Sequence, residues 1–301
     1  MKLFAISVVR NEVDIIDLTV RYHLGRGVDR FFIVDNGSVD GTTAKLARLA
    51  RDRRIRWTYD DGDFHQASAL TDLARAAARE GADWVMSVDA DEFWTPIDGA
   101  LSLKEALVNV DAGAVQVKIV NFVQDRRQRH LRKRALLHML YRVATPVGPP
   151  EACQALVESR TIAFVEMEYP PKVIGRASAT MTFAAGAHSV SDAAPVTLHQ
   201  ANEVLCFHAP LRAREILHLK AEQGRRWNVA NPNPVEAWHL RRWHQLSMDP
   251  GQMDTEWSAN SQLHGTLTVG GRAHVVVRDT RLRDALRPYM GLKRFLAPPT
   301  S

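Results

Sequence analysis

The sequence predicts an α/β fold: a mostly parallel central sheet with helices on both faces. Three observations predict it. Strand-like and helix-like segments alternate four times within the first ninety residues. The strand-like runs are almost continuously apolar, as strands buried on both faces are. Polar turns follow the carboxyl ends of two of those strands, where open α/β sheets bind ligands.

The elements follow in order. LFAISVV (3–9) is a β-rich run, and the next segment carries helical spacing through Ile16, Val20 and Leu24, with Gly25 and Gly27 as stop signals. RFFIVD (30–35) is the second strand, Thr42 to Arg51 a helix, and IRWTYD (55–60) the third strand. An alanine-rich helix over 66–78 ends before Gly81, and WVMSV (84–88) is the fourth strand. Beyond residue 95 the pattern is mixed. Ser102 and Glu105 form a capping box, AVQVKIV (114–120) reads as one strand, and HMLYRV, IAFVEM, KVIG and VLCF are further strand candidates. Pro210 is expected to open a helix over Leu211–Gln223 that stops at Gly224, and Asn233–Pro234 another, containing Trp238, Arg241, Arg242 and Trp243. HVVV (274–277) is a late strand followed by a basic helix from Arg281. The loop 148–160 and the stretch 228–234 are the expected flexible points. No composition shift marks a boundary. The working division is a first half (1–95), a mixed α/β half (96–225) and a C-terminal helical extension (226–301) within one compact domain.

Composition narrows the function classes. The 301 residues are 46% hydrophobic and 24% charged, ordinary values for a globular chain. The first apolar run is cut by Arg10-Asn11-Glu12, and no window approaches eighteen uninterrupted apolar residues, so neither a signal peptide nor a transmembrane helix is expected. Cys153 and Cys206 lie far apart without a CxxC partner, which fits a reducing compartment and a cytoplasmic location. Six of the nine residues in RRQRHLRKR (126–134) are Arg or Lys, a concentration that suits an anionic membrane surface or another phosphate-bearing partner. No aromatic residue is interleaved with them, so nucleic acid is a poor match.

Two turns carry the chemistry. In VDADEF (88–93) three carboxylates fall within four residues. If the strand continues, Asp89 and Asp91 project to one side and form a site for Mg²⁺ or Mn²⁺, a hard cation that completes its shell with substrate phosphates. The other reading is a solvated acidic turn. In VDNGSVDGT (34–42), Asp35 and Asn36 end a strand, and Gly37 and Ser38 make a turn that lets backbone approach a nucleoside. Helix capping explains the same residues without a ligand.

Together VVRNE (8–12), HLGRGVDRFFIVDNGSVDGT (23–42) and WVMSVDADEF (84–93) resemble the family 2 glycosyltransferases, in the branch with RNE, DNGSxDGT and DxDEF motifs. The resemblance covers about the first hundred residues. It implies a GT-A fold, a nucleotide-sugar donor such as a UDP- or GDP-sugar, and a Mn²⁺ or Mg²⁺ cofactor. By position it implies that Asp35 and Asn36 contact the base or ribose, and that Arg10 and Asn11 shape their pocket. Asp91 is then the metal ligand, and Asp89 serves ribose or metal. Glu92 is expected to be structural and His23, on the first helix, to be packed.

The family's inverting chemistry asks for a general base on the acceptor side, commonly in an ED pair, and no such pair stands in the expected window. Glu151, Glu166, Glu168 and Asp192 are the candidates, with Asp192 and Glu151 first. The branch also carries a GxH and an HxxxR, matched here by His188 and by His208 with Arg212; His188 is expected at the metal and His208 at the diphosphate. Lys172 and Arg212 are expected phosphate or acceptor contacts. Trp227, Trp238 and Trp243 read as core or lid before sugar platform. The expected reaction is transfer of a sugar to a hydroxyl of a saccharide or lipid-linked glycan. The alternatives are a catalytically inactive nucleotide- or anion-binding module and a sugar nucleotidyltransferase, which VVRNEVD disfavours because it lacks a glycine-rich loop.

Overall fold

The structure is a computed structural model and describes residues 1–62, 65–230 and 238–291. The chain opens with β1 (Leu3–Val9), α1 (Ile16–Gly25), β2 (Arg30–Asp35), α2 (Thr42–Leu49), β3 (Ile55–Tyr59), α3 (Gln66–Arg79) and β4 (Trp84–Ser87), the four alternations expected. Next come β5 (Glu92–Pro96), α4 (Leu103–Leu107), β6 (Ala114–Val117), β7 (Ile119–Val123), β8 (Tyr141–Val143) and α5 (Pro150–Glu158). Then follow β9 (Lys172–Arg176), β10 (Thr182–Phe183), β11 (Val190–Ser191), β12 (Leu198–Gln200) and β13 (Val204–His208). The last part holds α6 (Glu215–Ala230), α7 (Trp238–Leu246), α8 (Pro250–Ala259), β14 (Thr266–Val269), β15 (Arg272–Arg278) and α9 (Arg281–Leu286).

Two compact units emerge, each discontinuous in sequence. The first comprises Met1–Ile119, Pro170–Phe207 and the stretch from Ala285; the second comprises Val120–Tyr169 and His208–Asp284. The first unit carries a seven-stranded sheet of order β12-β6-β9-β4-β1-β2-β3. β1 pairs in parallel with β2 and β4, and β2 with β3. β9 enters antiparallel between β4 and β6. Leu3, Phe4, Ala5 and Ile6 are all buried, the expected outcome for a strand covered on both faces. Leu70, Ala74 and Ala77 of α3 join Phe4, Ile6, Phe32 and Val85 in one core, and alanine at two of those helix positions lets α3 lie close to the sheet. The capping box forms as read: Ser102 Oγ accepts from Glu105 N–H at 3.2 Å, and Glu105 accepts from Ser102 N–H at 2.6 Å.

The second unit orders its strands β14-β15-β8-β7 around a core that includes Phe164, Trp238, Trp243 and Trp257. Trp238 and Trp243 are therefore core residues, as expected. Several other expectations change here. The strand expected over 114–120 breaks at Lys118, which separates β6 from β7 and whose carbonyl accepts from Cys206 N–H. IAFVEM forms a 3-10 turn at Phe164–Glu166, where the Glu166 carboxylate accepts the Ala163 N–H. The loop expected over 148–160 is α5, opened by Pro150 at its first turn and held by Cys153 and Val157, four residues apart on one face.

The helix expected from Leu211 begins at Glu215 and runs through Gly224. A Cβ at Gly224 would stand 2.0 Å from the Leu240 carbonyl oxygen, so this glycine admits the backbone of α7 and does not stop the helix. The helix start at Asn233–Pro234, positions 231–234 of the expected flexible stretch and the Trp227 side chain lie outside the described residues. Both cysteines are free and buried. No helix among the described residues is long and apolar enough to cross a membrane.

Candidate functional site: the carboxyl edge of the first unit's sheet

β4 ends at Ser87, and Asp89 to Glu92 form a hydrogen-bonded turn in which Glu92 N–H donates to Asp89 O at 3.0 Å. The acids are therefore brought together by a turn and not by strand alternation, a correction to the sequence argument. Lys172, at the start of β9, closes the group. Its Nζ lies 2.6 Å from Asp89 Oδ2 and 2.9 Å from Glu92 Oε1, and its side chain is 4% exposed. Glu92 also accepts from Asp89 N–H at 3.2 Å. Burial raises the Glu92 carboxyl above its ordinary range; Lys172 opposes that shift and Asp89 adds to it. Burial alone would lower the Lys172 ammonium, but Asp89 and Glu92 outweigh it and hold the amine charged. Asp91 is buried beside them, 7% exposed.

His188 joins from the turn between β10 and β11. Gly186, at φ 71°, precedes it by two residues, and a Cβ there would meet the imidazole at 2.7 Å. The small residue is thus needed for the ring's approach. His188 Nδ1–H donates to Pro171 O at 3.2 Å, which assigns the tautomer and leaves Nε2 as the lone-pair nitrogen. Burial lowers its pKa and Lys172 lowers it further, so the ring is neutral. Asp89, Asp91, Glu92, Lys172 and His188 form one cluster.

The donor chemistry of this cluster suits Mg²⁺ or Mn²⁺, since hard oxygens dominate and a neutral imidazole is close. Among the described residues no three His, Cys, Asp or Glu side chains are arranged to hold a metal, and Asp89 already carries Lys172. A cation that arrives with a diphosphate needs only one or two carboxylates. The residues fit such a shared cation and do not form an all-protein cage.

The second turn stands at the end of β2. Asp35 is 0% exposed: Oδ1 accepts from Ser38 N–H at 3.0 Å and Oδ2 from Thr43 Oγ1 at 2.5 Å. Both carboxylate oxygens therefore serve the turn and the start of α2, which argues against the base or ribose contact expected of Asp35. Asn36 donates through Nδ2 to Asp60 O at 3.3 Å, and Arg10 NH1 donates to Asn36 O. Asn11, at φ 55°, accepts through Oδ1 from Val39 N–H, while its own N–H donates to Ser38 Oγ. Asparagine tolerates this left-handed conformation better than most side chains. Gly37, at φ 67°, packs under the Arg10 guanidinium and beside Asp61. Sequence reasoning overlooked Asp60 and Asp61; the available signal was an acidic pair at the carboxyl end of a third parallel strand.

The other expected residues lie elsewhere. Asp192 accepts from Ser178 and Thr180 hydroxyls and lines a small cavity with Gly113 and Arg176. Arg176 pairs with Trp84, the first residue of β4. Asp192 is therefore at the amino edge of the sheet, about 13 Å of strand away from the Lys172 end of β9. Glu151, His208 and Arg212 belong to the second unit. Glu151 is exposed in the first turn of α5. His208 Nδ1 pairs with Asn121 Oδ1 at 2.9 Å, and its ring meets Tyr169 edge-on. Arg212 is 1% exposed, and its carbonyl accepts from Gln124. Glu166 pairs with His274 at 2.8 Å and is committed to structure.

In the basic stretch, Arg126 donates to Ser258 O, Arg127 pairs with Asp125, and His130 pairs with Glu215. The side chains of Arg129, Arg132 and Arg134 are exposed, and Arg132 acts electrostatically on Glu215.

Comparison with known proteins adds the family. No curated protein matches the chain. Among solved structures, S. aureus TarS is 13% identical with a TM-score of 0.39, over 88% of this chain and 45% of that one; this chain thus spans less than half of TarS. S. aureus TarS 1-349 in complex with UDP is 11% identical with a TM-score of 0.40, over 91% and 96% of the two chains. The mannosyltransferase PcManGT from Pyrobaculum calidifontis, in complex with GDP-Man and Mn2+, is 16% identical with a TM-score of 0.40, over 86% and 74%. The family model described as Glycosyl transferase family 2 matches residues 5–165, more than half of the chain. The chain belongs to glycosyl transferase family 2.

Proposed function

We propose that this chain transfers a sugar from a nucleoside-diphosphate donor to a hydroxyl acceptor, with inversion at the transferred carbon. One observation carries the reading: the Asn36–Ser38 turn and the Asp89–Glu92 turn flank the carboxyl end of β1, on the strands paired to either side of it. Two strand spacings set them about 10 Å apart, a span that a nucleoside diphosphate bridges. The nucleoside lies at the Arg10, Asn36 and Asp60 side, and the diphosphate reaches across β1 toward Asp91. Arg10 offers the guanidinium donors that Asn36 O does not use. Mn²⁺ or Mg²⁺, when bound, neutralises the departing diphosphate.

Lys172 keeps Asp89 and Glu92 compensated beside Asp91. Neutral His188 stands beside Lys172 and Asp89. The acceptor hydroxyl gives up its proton to a general base as the sugar is transferred. The acceptor is a saccharide or lipid-linked glycan. Arg129, Arg132 and Arg134 are proposed to touch anionic membrane headgroups at about 1 kcal/mol each, which flotation with phosphatidylserine vesicles tests.

The experiment for the reaction is a transfer and hydrolysis assay across UDP- and GDP-sugars with MnCl₂. Release of nucleoside diphosphate from one donor is expected. Inertness toward the whole panel, with the protein folded, contradicts it.

A further inference from the structure

Between β4 and β5 the backbone around the acidic turn is held by side chains in addition to the Val88 N–H bond to Ile6 O and the turn's own Glu92–Asp89 bond. Ser7 Oγ of β1 donates to Val88 O at 2.7 Å. Thr19 Oγ1 of α1 donates to Ala90 O at 2.5 Å. Trp94 N–H donates to His23 Nε2 at 3.2 Å, and the His23 Nδ1–H donates to Thr19 O at 2.8 Å, which fixes the tautomer needed. Tyr22 OH bonds Thr95 Oγ1 at 2.7 Å. These bonds all lie within the first unit.

Thr19, Tyr22 and His23 are each at most 1% exposed. A helix face this deep in a core is ordinarily aliphatic, and each polar group placed there loses solvation that only a hydrogen bond restores. Each of the three places one polar atom on one segment, residues 90–95, while Thr19 Oγ1 also lies 3.3 Å from Ile15 O. Thr19 and His23 are one turn apart, so they grip it at two points.

We propose that Thr19 and His23 are positioning residues: α1 fixes the backbone from Ala90 to Trp94 and so aims the Asp91 carboxylate, and with it Asp89, at the donor. The aim toward a donor rests on the function proposed above; the fixing of the turn does not. The role is mechanical. Without it the acidic turn keeps its composition and loses its direction.

The test is Thr19→Val, which keeps the shape and removes the donor, against Thr19→Ser, which keeps the donor. Two readouts are taken: amide hydrogen exchange of the ligand-free protein, and calorimetric titration of UDP and of GDP with MnCl₂ present. Thr19→Val is expected to speed exchange at Asp89, Glu92 and Trp94 at least tenfold, with β1 and β2 amides unchanged, and to weaken nucleotide binding five- to thirtyfold. Thr19→Ser is expected within twofold of the parent in both. Turn amides that exchange at parental rates in Thr19→Val overturn the proposal, as does acceleration spread evenly over the sheet. A parent that binds neither nucleotide refutes the donor reading, and the exchange data still decide the positioning. Thr19→Ala takes the same test if Thr19→Val does not fold.

Discussion

Lys172 sets its ammonium 2.6 Å from Asp89, at 4% exposure, and the same nitrogen reaches Glu92 at 2.9 Å. Three acids within four residues are thus partly neutralised from inside the protein, by a strand eighty residues further along the chain. Removing one partner of such a buried group leaves uncompensated charge, at roughly 3–5 kcal/mol. Lys172→Met should lower the unfolding free energy measured in urea by that amount, and Lys172→Met/Glu92→Gln should recover at least about 1 kcal/mol of it, because the two sites are coupled. Additive losses in the double variant would show that the pair is not coupled.

The two aspartates named from sequence for opposite ends of the reaction separate cleanly. Asp91→Asn should reduce transfer about a hundredfold or more, the loss expected when a group that stabilises the leaving diphosphate is weakened by several kcal/mol. Asp192→Asn, at the amino edge of the sheet, should stay within about twofold of the parent. Steady-state rates with the donor found in the panel assay check both.

Acid should destabilise the fold through His23. Its unfolded pKa is 6.5, and burial lowers it to about 4 in the folded protein. Between those values the unfolded chain binds more protons, so stability is complete above 6.5 and is lost as pH falls toward 4. By pH 5 the loss is about 2 kcal/mol on one pKa unit per 1.36 kcal/mol. His23→Gln should show correspondingly less change between pH 7.5 and 5 when urea midpoints are compared with the parent.

Gly224 tests the second unit. A Cβ 2.0 Å from the Leu240 carbonyl cannot be absorbed by a side-chain rotation. Gly224→Ala should cost at least about 2 kcal/mol by overpacking α6 against α7, despite alanine's better helix propensity. A neutral or stabilising result in equilibrium unfolding would contradict the close approach of the two helices.

The first ninety residues were legible because parallel strands announce themselves as apolar runs, and the turns between them as glycine and capping residues. Both candidate turns were found that way. What was not legible depended on partners far away in sequence. Nothing in DADEF says that Lys172 neutralises it, or that Asp35 turns both oxygens inward to Ser38 and Thr43. Asp192 was chosen by its distance along the chain, which says little once β9 runs antiparallel and carries the following hairpin to the other edge. Gly224 looked like a helix stop because glycine usually weakens a helix, and only the neighbouring helix shows why it is tolerated. His23 was read correctly as packed, but its bond to Trp94 N–H could not be read from spacing.

The central claim is that the carboxyl edge around β1 takes a nucleoside diphosphate with a divalent cation anchored at Asp91. Titrating UDP and GDP into the parent and Asp91→Asn, each with and without MnCl₂, tests it most directly. The account predicts that one nucleotide binds the parent at least tenfold more tightly with Mn²⁺, and that Asp91→Asn loses this gain while keeping its urea midpoint. Binding that is equally tight with and without metal in both proteins, or absent from both, would contradict it.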